Sequence, residues 1–569
     1  MSDRKIKVLL ELRPALEGFA GIPQEVRLLF RGLRKLQSVD VEGMLQTSNR
    51  RLANGLPFKQ RRWWKKLSEA HKYRKLSNVV ISMTEKPYQN VFDVIAAWLQ
   101  NQADAFILHG GTLTNLGKIR LTRFSAAGFE DFTWRTLFSR TLPASDFDLV
   151  AKANHRVNRI PWDLMHRVGL RNLNWSAKPL YPKLDTQGFD IFIGQTPYPA
   201  RVGKSTKMVI RYHDAIPVFM PHTISEKSVH QATHFYALMS NIESGAWFAC
   251  VSEATRQDLL RLFPQVHDRA VVIHNMVSHH YQEENSAFDL VPGIIRSRYY
   301  GVDPHVRDSA WVPKFLTLRE QENFFSRNLP RKEDQYLLMV STIEPRKNHV
   351  RLLAAWEVIK AEIDPNIKLV IVGTLGWDYE AIRQGFKSWV DRGQLFMLNA
   401  VPAPDLRVLY RHAAATVCPS LGEGFDFSGV ESMASGGVAI ASDIPVHREV
   451  YDDAAEYFDP YSTMSLVKAL KAVLYDSGAV EKRAQLQEKG RAVAARYQPE
   501  VILPQWEAFL RQLSTRVQIR SATLINGLGG RDAIAFEPLN RQVKVAWNEL
   551  HTSHPSRTIP NLHPQESRS

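Results

Sequence analysis

Gly422–Gly437 reads GEGFDFSGVESMASGG, with seven residues between Glu423 and Glu431 and glycines at 422, 424 and 429. The stretch follows a short apolar run, ATVCPS from Ala415, and leads into VAIAS from Val438. That context makes it a strand–loop–helix turn, with the helix expected to start near Ser428 or Gly429. Glycines let a backbone turn tightly and approach a ligand closely. A helix start adds unpaired N–H groups and the positive end of a dipole, which suit a phosphate. Glu431, one turn into the helix, can point back and accept hydrogen bonds from two hydroxyls, as a ribose presents them. Glu423, on the loop, lies nearer a second group of hydroxyls. One acid at a helix start needs only the dipole to explain it. The whole pattern points to a pocket.

Outward from this stretch, YLLMVS from Tyr336, IKLVIVG from Ile367 and QLFMLNAV from Gln394 are further strand-like runs. Between them lie helical patterns, such as Leu352, Leu353, Trp356 and Ile359, and DLRVLYRHA from Asp405. The alternation argues for a parallel sheet covered on both faces. The first half repeats the scheme. IKVLLEL leads through a turn holding Gly18 and Gly21 into a helix with Val26, Leu29, Phe30, Leu33 and Leu36 on one face. DIFIGQ, KMVIRYHD, WFACVS and AVVIHN follow as strands, and Ser252 is placed to cap the helix SEATRQDLLRLF. In such sheets ligands bind at the carboxyl ends of the strands.

The expected organisation is an N-terminal Rossmann-like domain over 1–285, a linker with helical pieces of its own over 286–334, a second domain over 335–498 and a helix over 499–515. A polar, proline-containing tail over 516–569 is expected to be partly disordered. The stretch 111–182 is basic and aromatic, and its weak periodicity does not order it.

With 569 residues the chain is long enough for two to four domains, and 44% hydrophobic with 23% charged residues is the profile of a globular protein. Two cysteines, Cys250 and Cys418, exclude a disulfide framework and a cysteine-based metal site. Lys7, Glu11 and Arg13 interrupt the N-terminal apolar run, which therefore reads as a strand and not a signal peptide. A cytoplasmic protein not integral to a membrane is expected.

The net charge of +15 is uneven: Arg50–Lys75 holds ten basic residues and one acid, Glu69, interleaved with Trp63, Trp64 and Tyr73. Such a mix suits an anionic membrane surface. It also suits nucleic acid, and a solvated basic loop explains it as well.

Two further elements could carry chemistry. Arg346 and Lys347 stand in the turn STIEPRKN, between a strand and a helix, where two cations can stabilise a leaving diphosphate. His213 and Asp214 directly follow the strand MVIRY and can place an imidazole in a cleft; a histidine bonded only for structure is the alternative.

The combination resembles the family 4 retaining glycosyltransferases of GT-B fold, whose second domain carries PS.YEGFGLP.LEAMA.G.PV..S. Here Pro419–Ser442 reads PSLGEGFDFSGVESMASGGVAIAS, with VSTIEPRKN, LVIVGTLGW, LRVLYRHAAATVCPS and HREVYDDAAEYFDP in the family's order. IRYHDAIPVFMP and FACVSEATRQDLLRLFP are similar to family segments of the first domain. The resemblance is strong over 336–460, clear over 207–275, thin over 41–190 and absent from the linker and tail.

It implies two Rossmann-like domains facing a cleft, and transfer of a sugar from a nucleotide-diphosphate donor with no cofactor and no metal. It further implies that Glu431 binds the ribose, and that Glu423 and His213 meet the transferred sugar. Phe427, Ser428 and Gly429 would offer N–H groups, Lys347 and Arg346 would bind the diphosphate, and Gly21 would approach diphosphate or acceptor. The EPRKN and HD forms are similar to those of bacterial polysaccharide mannosyltransferases, which leans the donor towards GDP-mannose. The acceptor would be a glycan or a lipid-linked glycan, at the inner face of the cell membrane if Arg50–Lys75 binds lipid; no nucleic acid is expected.

Two departures bear on the donor. Ser341 and Thr342 stand where many members have an arginine, a role Arg346 could take over. GFDFSGVE replaces GFGLPVLE, so that Asp426 puts a negative charge near the diphosphate loop unless it points away. An epimerase or phosphorylase of the same fold, and a basic nucleic-acid-binding protein, are the rival readings.

Overall fold

The computed structural model describes residues 4–16, 18, 21–57, 68–84, 90–114, 117–299, 313 and 315–525. The strands in chain order are β1 (Ile6–Glu11), β2 (Val39–Leu45), β3 (Lys118–Ile119), β4 (Thr122–Ser125), β5 (Asn154–Val157), β6 (Lys183–Leu184), β7 (Ile191–Gly194) and β8 (Lys207–Tyr212). They continue with β9 (Trp247–Cys250), β10 (Ala270–Val272), β11 (Tyr336–Val340), β12 (Lys368–Val372), β13 (Leu395–Leu398), β14 (Ala415–Cys418), β15 (Ala439–Ser442) and β16 (Ala455–Phe458).

The N-terminal sheet has the order β10-β9-β8-β7-β1-β2-β5-β4 and is parallel except where β4 runs against β5. The second sheet is parallel throughout, in the order β13-β12-β11-β14-β15-β16. Counted from its own first strand that order is 3-2-1-4-5-6, the doubly wound arrangement. Six of these strands, mostly central ones, are buried along their whole length, as a sheet covered on both faces requires.

In the second sheet the strand order reverses between β11 and β14. The turns after those two strands carry STIEPRKN and the GEGFDFSG loop. In the first sheet it reverses between β7 and β1, beside the Gly18–Gly21 turn. Both switch points therefore fall where the sequence places its candidate residues.

Two boundaries differ from expectation. The stretch 286–334, expected as a linker, contributes helices Leu290–Tyr299 and Leu318–Asn328, whose Val291, Ile295, Tyr299 and Phe325 are buried in the core of the second domain. They pack because each offers a few apolar anchors at helical spacing, too few to stand out in the sequence. The last helix runs Pro499–Ile525, beyond the expected 515. It crosses back to the first domain, where Ile502, Leu503, Trp506, Phe509, Leu510 and Leu513 complete the core around β1, β8 and β9. A Cβ on Gly32 would lie 2.4 Å from Leu503 Cδ2 at this junction, so that Leu503 would have to shift. The proposed disorder of 516–569 falls, beyond Ile525, outside the described residues.

The basic segment is only partly described, residues 58–67 lying outside. Arg50 caps the helix Glu69–Thr84, donating to the carbonyls of Thr84 (2.9 Å) and Met83 (2.7 Å). Arg51 pairs with Asp104 at 2.5 Å, and Lys72 with Glu69 at 2.6 Å. Arg50, Arg51 and Lys72 thus have partners within the protein. No described helix is long and apolar enough to cross a membrane.

Candidate active site

A cavity of about 490 Å³ lies between the carboxyl ends of the two sheets. It is lined by Gly21 and Gln24, by His213, by Arg346 and Lys347, and by Glu423, Phe427, Ser428 and Glu431. Eight of the nine residues singled out in the sequence come together there. Gly429 does not line it: a Cβ at that position would lie 2.3 Å from Tyr451 Cζ, so this glycine makes room for a packed ring.

The cation turn and the glutamate loop are stitched to each other. The Leu421 N–H donates to the Arg346 carbonyl (2.9 Å), and Arg346 Nη1 donates to the Gly422 carbonyl (2.6 Å). Glu423 then holds both cations, Lys347 Nζ at 2.5 Å and Arg346 Nη1 at 2.8 Å, with its side chain 7% exposed. Arg346 Nη2 also reaches Glu344, at 2.7 Å. Burial alone would raise the Glu423 pKa, but the charges of Arg346 and Lys347 outweigh it and keep the carboxylate ionised. Burial likewise opposes the charge on Arg346, which Glu423 and Glu344 restore. A diphosphate reaching this corner would meet two fixed cations whose counter-charge is Glu423.

Asp426 lines the cavity, but its carboxylate is engaged by neighbouring residues. It is the N-cap of the helix Phe427–Ala434, one residue earlier than expected, and accepts from the Ser428 N–H (3.1 Å) and Ser428 Oγ (2.7 Å). The Ser428 N–H, expected to serve a ligand, is thus engaged within the loop, as is the hydroxyl. His447 Nε2 lies 3.3 Å from Asp426 Oδ2. Burial would raise the Asp426 pKa, but the hydrogen bond from His447 and the charge of Lys347 hold it well below the usual carboxylate range.

Glu431 is buried, accepting from Gln24 Nε2 at 2.7 Å and from the Tyr410 hydroxyl at 3.2 Å. Burial pushes its pKa up to about 7, against the lowering effect of those hydrogen bonds. Gln24 belongs to the first domain, so this contact spans the cleft.

His213 is neutral, its pKa pushed down to about 3 by burial and by the charge of Arg211. One ring nitrogen bonds the Gln195 backbone, while Nε2 is buried without a partner among the described residues. A neutral ring in this setting offers Nε2 as an acceptor to a hydroxyl in the cavity. Gly21 has φ +70°, and nothing lies within 4 Å of the side chain it lacks. The turn can therefore admit a ligand close to its backbone.

The domains meet around this cavity. Ser252, the N-cap of the helix Glu253–Leu262 as expected, also donates to the Gly424 carbonyl at 2.8 Å. Glu449, from the second domain, accepts from the Glu253 and Ala254 N–H groups (2.6 and 2.9 Å) and bonds His274 Nε2 (2.8 Å). Trp377 Nε1 donates to the Thr223 carbonyl at 2.9 Å.

Residues 320–493 match the model of the family described as glycosyl transferases group 1. The match covers about a third of the chain and falls in the second domain. The protein is 32% identical over 145 residues to the serotype-specific mannosyltransferase WbdA of Escherichia coli, covering 25% of this chain and 18% of that one. It is 27% identical over 235 residues to the O-antigen chain mannosyltransferase B of the same species, covering 41% of this chain and 51% of that one. The chain thus spans about half the length of the second relative and less of the first. Among solved structures, a sucrose-phosphate synthase from Thermosynechococcus elongatus superposes with a TM-score of 0.51 at 14% identity, over 90% of this chain and 100% of that one. The architecture is GT-B: two Rossmann-like domains around a cleft.

The sequence did not single out Gln24, Arg140, Asn275, Tyr281 or Trp377, which also line the cavity. Gln24 was within reach, three residues after Gly21 in the first turn of a helix. Arg140 lies in a stretch without clear periodicity, and no local signal marks it.

Proposed function

We propose that this protein transfers a sugar from a nucleotide-diphosphate donor to a glycan or lipid-linked acceptor in polysaccharide assembly, with retention at the anomeric carbon. The observation that carries the reading is the convergence of Arg346, Lys347, Glu431 and His213 on one cavity between two nucleotide-binding folds. The names of the relatives support mannose as the transferred sugar, and GDP-mannose as the donor is the specific form of the proposal.

In this reading Arg346 and Lys347 take the diphosphate, with Glu423 turning from the cations to the sugar hydroxyls. Glu431 accepts from the ribose, and His213 Nε2 accepts from a hydroxyl of the transferred sugar. The acceptor oxygen bonds to the anomeric carbon as the bond to diphosphate breaks, and the acceptor's proton leaves with the diphosphate. Positioning and charge stabilisation of the leaving group supply the acceleration, without an enzymatic base, a resident cofactor or a metal.

The test is a thermal-shift screen of the full chain against a panel of nucleotide sugars. Stabilisation follows affinity, so GDP-mannose is expected to raise Tm above the others. Equal indifference to every nucleotide sugar would overturn the reading. Epimerisation or hydrolysis of the best binder, with no acceptor required, would favour an epimerase instead.

A further inference from the structure

Arg211 lies on β8, two residues before His213, and is fully buried without itself lining the cavity. Its guanidinium donates to three separate segments. Nε reaches Glu25 Oε1 at 3.0 Å, Nη2 reaches Asn275 Oδ1 at 2.7 Å and Nη1 reaches the Ile273 carbonyl at 2.5 Å. These partners belong to the cavity wall or adjoin it. Glu25 stands in the first turn of the helix Ile22–Lys35, directly after Gln24, whose amide meets Glu431. Asn275 follows β10 and lines the cavity, as His213 does. Glu25 depends on this guanidinium, since its Oε2 is buried without a partner among the described residues. The rest of the junction is apolar, with Val26, Val209, Ala249 and Trp506 in one core.

Stability does not account for a charge at this place. A buried ion pair recovers in attraction roughly what it loses in hydration, and apolar side chains of similar volume fill such a junction at least as well. What a guanidinium adds is direction, since its five N–H donors lie in one rigid plane. Segments bonded to that plane keep fixed positions relative to one another. We propose that Arg211 is a positioning residue: its planar fork sets the spacing between the Gly21–Gln24 turn, His213 and Asn275, and so shapes the first domain's half of the cavity. Glu25 supplies the counter-charge and anchors the turn. The charge of Arg211 also helps keep the His213 ring neutral, so that Nε2 stays an acceptor. A shift of about 1 Å in such a wall can cost about 100-fold in rate. The inference rests on the reading of this cavity as a nucleotide-sugar site.

The experiment compares Arg211→Lys with the natural full-length chain. A lysine keeps the charge beside Glu25, but its compact ammonium cannot reproduce the fork. The variant is expected to fold, with Tm lowered by less than about 10 °C. It is expected to bind GDP within about threefold of the natural chain, because Arg346, Lys347 and Glu431 belong to the second domain. Turnover is read as GDP release from GDP-mannose with methyl α-mannoside as acceptor, and kcat per folded molecule is expected to fall about 30- to 100-fold. A role in stability alone would leave fewer folded molecules with an unchanged kcat, and that result would overturn the assignment. Hydrogen exchange tests the geometry without any reaction. Exchange is expected to rise about tenfold or more in peptides covering 21–25, 213–215 and 273–277 together, and to stay unchanged in β11 and β12. A rise confined to β8 would overturn the assignment. Glu25→Gln is the second variant, for a lysine variant that does not fold. Burial brings the Glu25 carboxyl up to about 7, so a neutral group of the same shape already fits there. It is expected to loosen 21–25 and to lower kcat about three- to tenfold, and the double variant to be no worse than Arg211→Lys, since both act through one group. Additive losses would count against that shared role. If the natural chain neither binds GDP nor turns over GDP-mannose, the reading of the cavity in this form is overturned, and the exchange pattern alone decides the positioning role.

Discussion

Gly424→Ala tests the closed arrangement of the two domains most directly. A Cβ at Gly424 would lie 1.7 Å from the His213 carbonyl oxygen and 2.8 Å from its carbon, where ordinary contact begins at 3.4 Å. The shortfall is 1.7 Å against backbone on the opposite domain, which cannot rotate out of the way. The domains must separate by a comparable distance, stretching the Ser252–Gly424 hydrogen bond of 2.8 Å beyond use and moving His213 away from Glu423. A displacement of about 1 Å at a reacting centre can cost about 100-fold in rate. The expected result is a fall of about 100-fold in kcat/KM with the best donor of the thermal-shift screen, while that donor still stabilises the second domain. Gly422→Ala is the internal control. Its new methyl would meet Met220 Sδ at 2.6 Å, the far part of a flexible side chain, and activity is expected to stay within about threefold. Full activity of Gly424→Ala, measured by initial rates across sub-saturating to saturating donor, would refute the idea that this closed contact is the reactive one.

Glu431, with its pKa raised to about 7 by burial, makes two predictions of opposite sign. Its contribution to folding is fully present below the unfolded value of 4.5 and lost as pH rises through about 7. Donor binding, which needs the ionised form to accept ribose hydroxyls, is expected to strengthen between about pH 6 and 8; isothermal titration across that range should show the rise, and Glu431→Gln should flatten it and weaken donor binding. Glu423→Gln removes the anion that holds Arg346 and Lys347, so a nucleoside diphosphate without sugar is expected to bind about tenfold more tightly while sugar transfer falls; weaker diphosphate binding would count against the proposed competition. Trp506→Ala is expected to cost about 3–5 kcal/mol in urea unfolding, since the ring is fully buried and stacks under the Arg211 guanidinium at 5.3 Å; a loss below about 1 kcal/mol would mean that the last helix is not an integral part of the first domain.

Much of the architecture was legible because both sheets are buried on both faces. Runs such as LVIV from Leu369 and LFML from Leu395 are apolar throughout, and each is followed by its turn. The candidate pocket was legible for the same reason, since its residues sit in turns directly after recognisable strands. What escaped the reading depended on partners far away in the chain. Asp426 looked like an unfavourable charge because His447, 21 positions on, is invisible in a local window. The helices at Leu290 and Leu318 bury only a few anchors each and passed for a linker. The helix Val91–Leu113 turns its apolar stripe outwards, so a periodicity that normally marks a core face marks the opposite here. Gln24 meets Glu431 only because two domains close, a contact that neither domain's own pattern encodes.

The return of the last helix to the first domain also has a consequence for synthesis. Strand β1 and the residues that complete its core, Ile6 and Trp506 among them, are about 500 positions apart. At a translation rate of about 5–20 residues per second, the first domain waits about 25–100 seconds for its final layer. During that interval the patch later covered by Leu503, Trp506 and Phe509 is open on a tethered, unfinished domain. The N-terminal half should therefore complete its folding only after the second domain has emerged, and a nascent chain arrested before Pro499 should bind chaperones that recognise apolar surface.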